Sequence, residues 1–203
     1  MPKKSRRAPA RRARDAEAGP AVRIRAATPA LWPDVEKLFG PRGACAGCWC
    51  MYPLLPRAEY ERGKGATNRR RLRERVASGT APGVIAYVGG EPVGWCAVGP
   101  RAGYERLKGS RVLAPIDDAP VWSIPCLFVA RSHRGRGLSR RLIEGAVQHA
   151  RRRGARIVEA YPVELHGRAP SAFAWWGTVR TFAAAGFRVV ARRSAVHPVM
   201  RNG

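Results

Sequence analysis

The residues whose types and spacing speak most plainly of chemistry are Arg134-Gly135-Arg136-Gly137-Leu138-Ser139. Glycines at 135 and 137 let consecutive backbone N–H groups approach a ligand closely, and a helix starting at Leu138 aims the positive end of its dipole at the same point. Such a junction binds an anion. Arg134 and Arg136 add positive charge, and Ser139 adds a hydroxyl donor. What the loop lacks narrows the anion. A nucleotide P-loop requires Gly-Lys followed by Ser or Thr, whereas this chain has Gly-Leu-Ser and no lysine for a terminal phosphate. The dinucleotide fingerprint requires a third glycine where Arg140 stands, within a regular βαβ unit that the surrounding pattern does not supply.

A second group is Cys45-x-x-Cys48-x-Cys50. Thiolates at this spacing can share one Zn²⁺, but no fourth ligand lies nearby in sequence; reactive or redox thiols and ordinary packing are the other readings. No metal is expected. His133, His149 and His197 are isolated from one another and read as surface or structural residues. Trp175-Trp176 either wall a substrate site or simply pack.

The glycine loop must be held by the elements around it. Val121 to Ala130 is an apolar run of the length of a central, doubly covered strand, and it leads directly into the loop. The helix after the loop, from Leu138 to about Arg153, carries Leu142, Ile143, Ala146 and Ala150 on one stripe, and Gly154 stops it. Earlier, Val22–Ala26 alternates as a strand, and Thr28-Pro29 offers an N-cap and first-turn proline for a helix reaching Phe39. A very basic helix is expected from about Arg57 to Ala77. Strands at 83–88 and 92–98 are joined by a hairpin at Gly89-Gly90-Glu91. A less regular stretch fills 99–120. A strand at 156–161, a loop at 162–172, a helix ending at Gly186, and strands at 187–192 and 197–200 complete the chain. The order β-α-α-β-β-β-α-β-α-β-β is that of a single α/β (α+β) domain with a mixed central sheet flanked by helices, here residues 21–203.

Composition sets the wider limits. With 203 residues, 45% of them hydrophobic, the chain suffices for one core. A formal net charge of +24 points to a negatively charged partner: nucleic acid, an acidic surface or a polyphosphate coenzyme. Part of that excess also fits the arginine usage of a GC-rich genome. Residues 1–20 are Arg, Ala and Pro without apolar periodicity and read as a disordered basic tail, either a phosphate tether with weak nucleic-acid contact or a solvated extension. No run approaches the ~20 apolar residues of a membrane span. The basic start has no apolar segment behind it, so no secretory signal is expected, and an odd count of five cysteines points to a reducing cytoplasm. The oligomeric state stays open, a homodimer included.

The strand-loop-helix from Phe128 through Arg131-Ser132-His133-Arg134-Gly135-Arg136-Gly137-Leu138-Ser139 resembles the coenzyme-A loop of the GNAT superfamily of N-acetyltransferases, a strand followed by Arg-x-x-Gly-x-Gly/Ala and a long helix. Ser139 stands where such loops end in Gly or Ala. The element order, the 89–90 hairpin and the Ala185-Gly186-Phe187 corner are also similar, so the resemblance extends over about 22–200. It implies acetyl-CoA as co-substrate and direct transfer of the acetyl group to an amine. It further implies that the backbone of Phe128, Val129 and Ala130 pairs with the pantetheine arm and polarises the thioester carbonyl, with the pyrophosphate on residues 134–139. Many relatives carry a tyrosine acid where this chain has Phe182. Glu159 and Tyr161, alternate residues of one strand and hence on one face, are the candidate base and acid in its place. The segment Cys48-Trp49-Cys50-Met51-Tyr52 is similar to one found in a subgroup of bacterial GNAT proteins, and its place after the first helix would put it beside the acceptor pocket. The acceptor, a small molecule or a protein, is not legible. A competing reading is a basic nucleic-acid-binding or ribosome-associated protein that retains the fold, motivated by the tail and the Arg69–Arg75 helix.

Deleting residues 1–20 removes seven positive charges. Polyanion affinity measured against salt is expected to fall, and its log–log slope to become shallower by about one unit for every phosphate the tail had neutralised. Acetyl transfer to a small amine by the truncated chain, followed by mass spectrometry, is expected to survive.

Overall fold

The computed structural model describes residues 21–164 and 175–203. The expected tail at 1–20 and most of the expected loop at 162–172 lie outside the described residues. Seven strands form one mixed sheet in the order β1-β2-β3-β4-β5-β7-β6. They are β1 (Val22–Ala26), β2 (Gly83–Val88), β3 (Glu91–Pro100), β4 (Val121–Val129), β5 (Ile157–Ala160), β6 (Arg188–Ala191) and β7 (Val199–Asn202). Every neighbouring pair is antiparallel except β4 and β5, which run parallel. A parallel pair needs a crossover, and the 15-residue helix α5 (Leu138–Arg152) supplies it.

Side-chain alternation assigns each strand to two cores. On one face Val84, Ala86, Cys96, Val98 and Leu127 pack with Leu142, Ile143, Ala146 and Ala150 of α5 and with Phe182 of α6 (Val179–Ala184). On the other, Ile85, Tyr87, Trp95 and Ala97 pack against α1 (Trp32–Phe39), α2 (Arg57–Arg62) and α3 (Ala66–Ala77). A four-residue helix, α4 (Glu105–Lys108), lies within the irregular stretch before β4. The β2–β3 turn has φ of +59° at Gly89 and +87° at Gly90, the left-handed pair that a two-residue hairpin matched to strand twist requires.

Three sequence expectations shift. The basic helix expected over 57–77 is two helices, because the Gly65 N–H is drawn to the Gly47 carbonyl at 3.0 Å with Gly65 at φ +87°. Thr28 makes no side-chain cap, and Pro29 opens a single 3-10 turn before α1. The last strand begins at Val199 rather than His197, since β7 lies between β5 and β6 and Pro198 has no N–H for such a ladder.

The seating of α5 on the sheet fixes where its N-terminus points, and Gly145 sets that distance. A Cβ at Gly145 would stand 2.5 Å from Ile24 Cγ2 and 3.0 Å from Ile24 Cβ. In Gly145→Ala the gain of about 1 kcal/mol in helix propensity is expected to lose to overpacking of about 1–3 kcal/mol. Thermal denaturation should show a lower Tm, and an unchanged or higher Tm would mean that β1 gives way freely.

Candidate active site

The glycine loop has the conformation the sequence anticipated. Gly135 and Gly137 adopt φ of +75° and +73°, and a Cβ built at either meets nothing within 4 Å. The positive φ values favour glycine, and the space above the loop is open to a ligand. No side chain caps the start of α5 and no acidic residue occupies its first turn, so its leading N–H groups face outward unpaired by a cap. Arg136 is exposed. Leu138 is buried and anchors the helix start, leaving its backbone to face the loop, while Ser139 is half-buried. Arg134 turns back, its Nε donating to the Val129 carbonyl at 3.0 Å, and so fastens the loop to the end of β4.

Beside this loop the sheet comes apart. β4 and β5 pair only from Val121↔Ile157 to Ile124↔Ala160. Between Ala97 and Gly99 the β3–β4 register advances two residues on β3 but three on β4, a bulge at Ile124-Pro125. Pro125 has no N–H to offer a neighbour, and β5 runs out into Tyr161-Pro162. The two strands therefore separate, and β4 from Pro125 onward has a free edge.

Which groups line that edge follows from one hydrogen bond. The Ala130 N–H donates to the Val93 carbonyl at 2.9 Å. Alternation along an antiparallel ladder then turns the N–H groups of Phe128 and Cys126 toward β3, and those of Leu127 and Val129 toward the gap. Of Phe128, Val129 and Ala130, the three residues expected to offer backbone to a pantetheine arm, only Val129 turns its N–H toward the gap. Ala130 and Phe128 are committed to the sheet, and Leu127 joins Val129 at the edge. The Phe128 side chain points to the opposite use, into a cavity.

That cavity, of about 290 Å³, lies on the α1–α3 face and is lined by β4 residues Cys126 and Phe128, by Trp95, and by Cys45, Cys48 and Cys50. The cysteine segment is held in an unusual backbone. Ala44, Ala46, Trp49 and Cys50 have φ of 67°, 46°, 47° and 57°, left-handed values that non-glycine residues rarely adopt. Trp95 Nε1 donates to Cys50 Sγ at 3.1 Å. A hydrogen bond from Cys126, the Trp95 N–H and nearby Arg75 together pull the Cys50 thiol down against its burial, while the same pairing and burial hold the Cys126 thiol well up. All five cysteines are free, and among the described residues no group of three or more His, Cys, Asp or Glu is arranged to hold a metal ion. Trp175 walls the cavity and stacks on Trp176 with ring centroids 4.4 Å apart.

Glu159 and Tyr161 do come together, as the alternation predicts, but away from this cavity. Tyr161 is wholly buried, its hydroxyl donates to Glu159 Oε1 at 2.6 Å, and it lies 3.0 Å from Ser123 Oγ. Glu159 is itself 1% exposed and is gripped by Arg201 at 2.9 Å and Arg101 at 3.5 Å. Arg201 also holds Asp117 at 2.6 Å and keeps that carboxyl below the usual range. Burial, then the Glu159 charge, pushes the Tyr161 hydroxyl up. Neither side chain lines the cavity. Phe182 is fully buried against Phe187 at 5.0 Å and offers no proton. Sequence reasoning missed Ser123 and Arg201, which the pairing of β4, β5 and β7 brings to Glu159, and Arg101 and Asp117, which reach the same network from the irregular stretch between β3 and β4. It also missed Trp95, whose one local signal is its place in a strand alternating toward the α1–α3 face.

A mixed sheet opened beside a glycine loop at a helix start defines a class of coenzyme-dependent group-transfer domain, and comparison with known proteins gives its family. The model of the acetyltransferase (GNAT) family matches residues 48–173. The chain belongs to the GNAT acetyltransferase family. A search of curated proteins found no match. Among solved structures the chain is similar to an acetyltransferase of the GNAT family from Streptococcus agalactiae, with 14% identity, coverage of 89% of this chain and 94% of that one, and a TM-score of 0.53. It is also similar to YncA of Salmonella typhimurium, solved with its cofactor acetyl-CoA (18% identity, 90% and 93% covered, TM-score 0.52). A third is the polyamine N-acetyltransferase of Drosophila melanogaster, an enzyme that forms N-acetylagmatine (15% identity, 89% and 98% covered, TM-score 0.52). At these identities the likeness shows the fold. None of these findings supports the nucleic-acid-binding alternative. No helix among the described residues is long and apolar enough to cross a membrane.

The buried Glu159 charge is compensated by two arginines, so removing it leaves them short of a partner. Glu159→Gln is expected to cost about 3–5 kcal/mol of stability, against about 1–2 kcal/mol for Tyr161→Phe. Denaturant unfolding of both variants tests that order.

Proposed function

We propose that this chain transfers an acetyl group from acetyl-CoA to a primary amine. The observation that carries the reading is the juxtaposition of an open, uncapped glycine loop with the unpaired edge of β4. On this reading the coenzyme pyrophosphate rests on the N–H groups of 135–139, with Arg136 supplying charge. The pantetheine arm continues along Leu127 and Val129 as if it were a missing strand. An N–H at that edge polarises the thioester carbonyl, and the acetyl group reaches the cavity beyond Phe128. The acceptor amine attacks the carbonyl carbon; a C–N bond forms, the C–S bond breaks, and coenzyme A leaves as its thiolate. The amine's proton passes to water or to the Cys50–Cys126 pair. The free thiols fit a reducing cytoplasm.

Glu159 and Tyr161 take a different part in this proposal from the one their spacing suggested. Buried, hydrogen-bonded to each other and off the cavity, they brace the last paired residues of β4 and β5 and so set where the strands part.

Calorimetric titration with acetyl-CoA is expected to show one saturable site. Gly137→Asp should abolish it, since a β-carbon at φ +73° is strained and its carboxylate would repel the phosphates. Unchanged affinity in a folded variant would remove the loop from the proposal. Tyr161→Phe is expected to leave kcat within about threefold of the parent, whereas a proton donor's loss would cost ~10²-fold.

A further inference from the structure

The chain carries +24, yet almost none of that charge reaches the cavity beside β4. Two aromatic walls line it together with the cysteine segment. Phe39 packs edge-on to Trp95 at 5.6 Å and to Phe128 at 5.8 Å. The second wall is built on Tyr52, which meets Tyr60 at 5.3 Å and Trp175 at 5.0 Å, both edge-on. Among the described residues the only charged side chains on the lining are Glu61 and Lys64, and they are paired with each other. Burial holds the Tyr60 hydroxyl above its usual range, so it stays neutral.

Resting on the reading of the chain as an acetyl-CoA-dependent N-acetyltransferase, we propose that its acceptor is a small arylalkyl primary amine bound between these two aromatic walls. Among the described lining residues an acidic acceptor finds no free cation, and a polyamine finds no free carboxylate. The cations that could hold an acidic partner line a different space, the open groove of about 780 Å³ bearing Arg57, Arg106 and Lys108, to which no β4 residue contributes. A cavity of 290 Å³ has room for one aromatic ring, a short alkyl arm and the acetyl group, but not for a folded protein surface. Ring faces and edges on both sides suit an aromatic ligand, and the same faces attract its ammonium on arrival.

The lining also accounts for how the nucleophile is made without a carboxylate base. Moving an ammonium from water into an apolar cavity disfavours the charged form and lowers its pKa, so the ammonium gives its proton to solvent water on entry and the neutral amine reaches the thioester.

The test compares acetylated product, quantified by mass spectrometry, for the full chain given acetyl-CoA with 2-phenylethylamine, tryptamine, spermidine, and lysine-rich and acidic peptides. The arylalkylamines are expected to exceed the others in kcat/KM by roughly 100-fold. Trp175→Ala should raise KM for 2-phenylethylamine about tenfold with kcat little changed, and the calorimetric affinity for acetyl-CoA should stay as in the parent. Faster transfer to spermidine or to a peptide, with acetyl-CoA still binding, would overturn the acceptor class and leave the transferase reading standing. Failure of acetyl-CoA to bind the parent chain would overturn both.

Discussion

The parting of β4 from β5 is the constraint from which the rest of the site follows. Four residues of parallel pairing hold the strands together, and just beyond them each strand meets a proline. Pro125 lacks a donor and sits in a bulge; Pro162 ends the neighbouring strand. An interior strand with unpaired backbone groups is costly unless something else satisfies them. On the proposed reading an extended ligand, the pantetheine arm, lies in that gap and satisfies them.

The point of separation is held from behind. Ser123, Tyr161 and Glu159 join the two strands through their side chains at the last paired residues, and Arg101, Arg201 and Asp117 extend the network outward to the surface. A buried carboxylate compensated on both sides fixes geometry more than it adds stability. Here it keeps the strands together up to a defined residue and leaves them free beyond it. Arg134 does the corresponding work at the far end by tying the glycine loop to the Val129 carbonyl.

How much of this could be read in the sequence depended on how local the chemistry was. The loop at 134–139 was legible because its glycines, its charges and its helix start are contiguous. The strands and the long helix were legible from their periods. The cavity was not, since Phe39, Tyr52, Tyr60, Trp95, Phe128 and Trp175 are far apart in the chain and meet only through packing. Glu159 and Tyr161 show the limit most clearly: alternation gave their shared face correctly but could not say what that face meets. The direction in which the backbone groups of Phe128, Val129 and Ala130 turn depends on ladder parity, which the Ala130–Val93 hydrogen bond fixes and no side chain signals. The break at Gly65 was likewise set by a distant partner, Gly47.

The cysteine segment is expensive backbone. A left-handed residue with a side chain sits about 1 kcal/mol or more above glycine in the same place. At Trp49 and Cys50 the side chains offset that strain, one packing against Trp32 and Phe39, the other receiving the Trp95 N–H. Ala44 and Ala46 contribute only a methyl each. Mutational tolerance along this segment is therefore inverted relative to an ordinary loop: glycine is the mildest replacement at 44 and 46, and β-branched residues, harmless on most surfaces, are the ones it cannot accommodate.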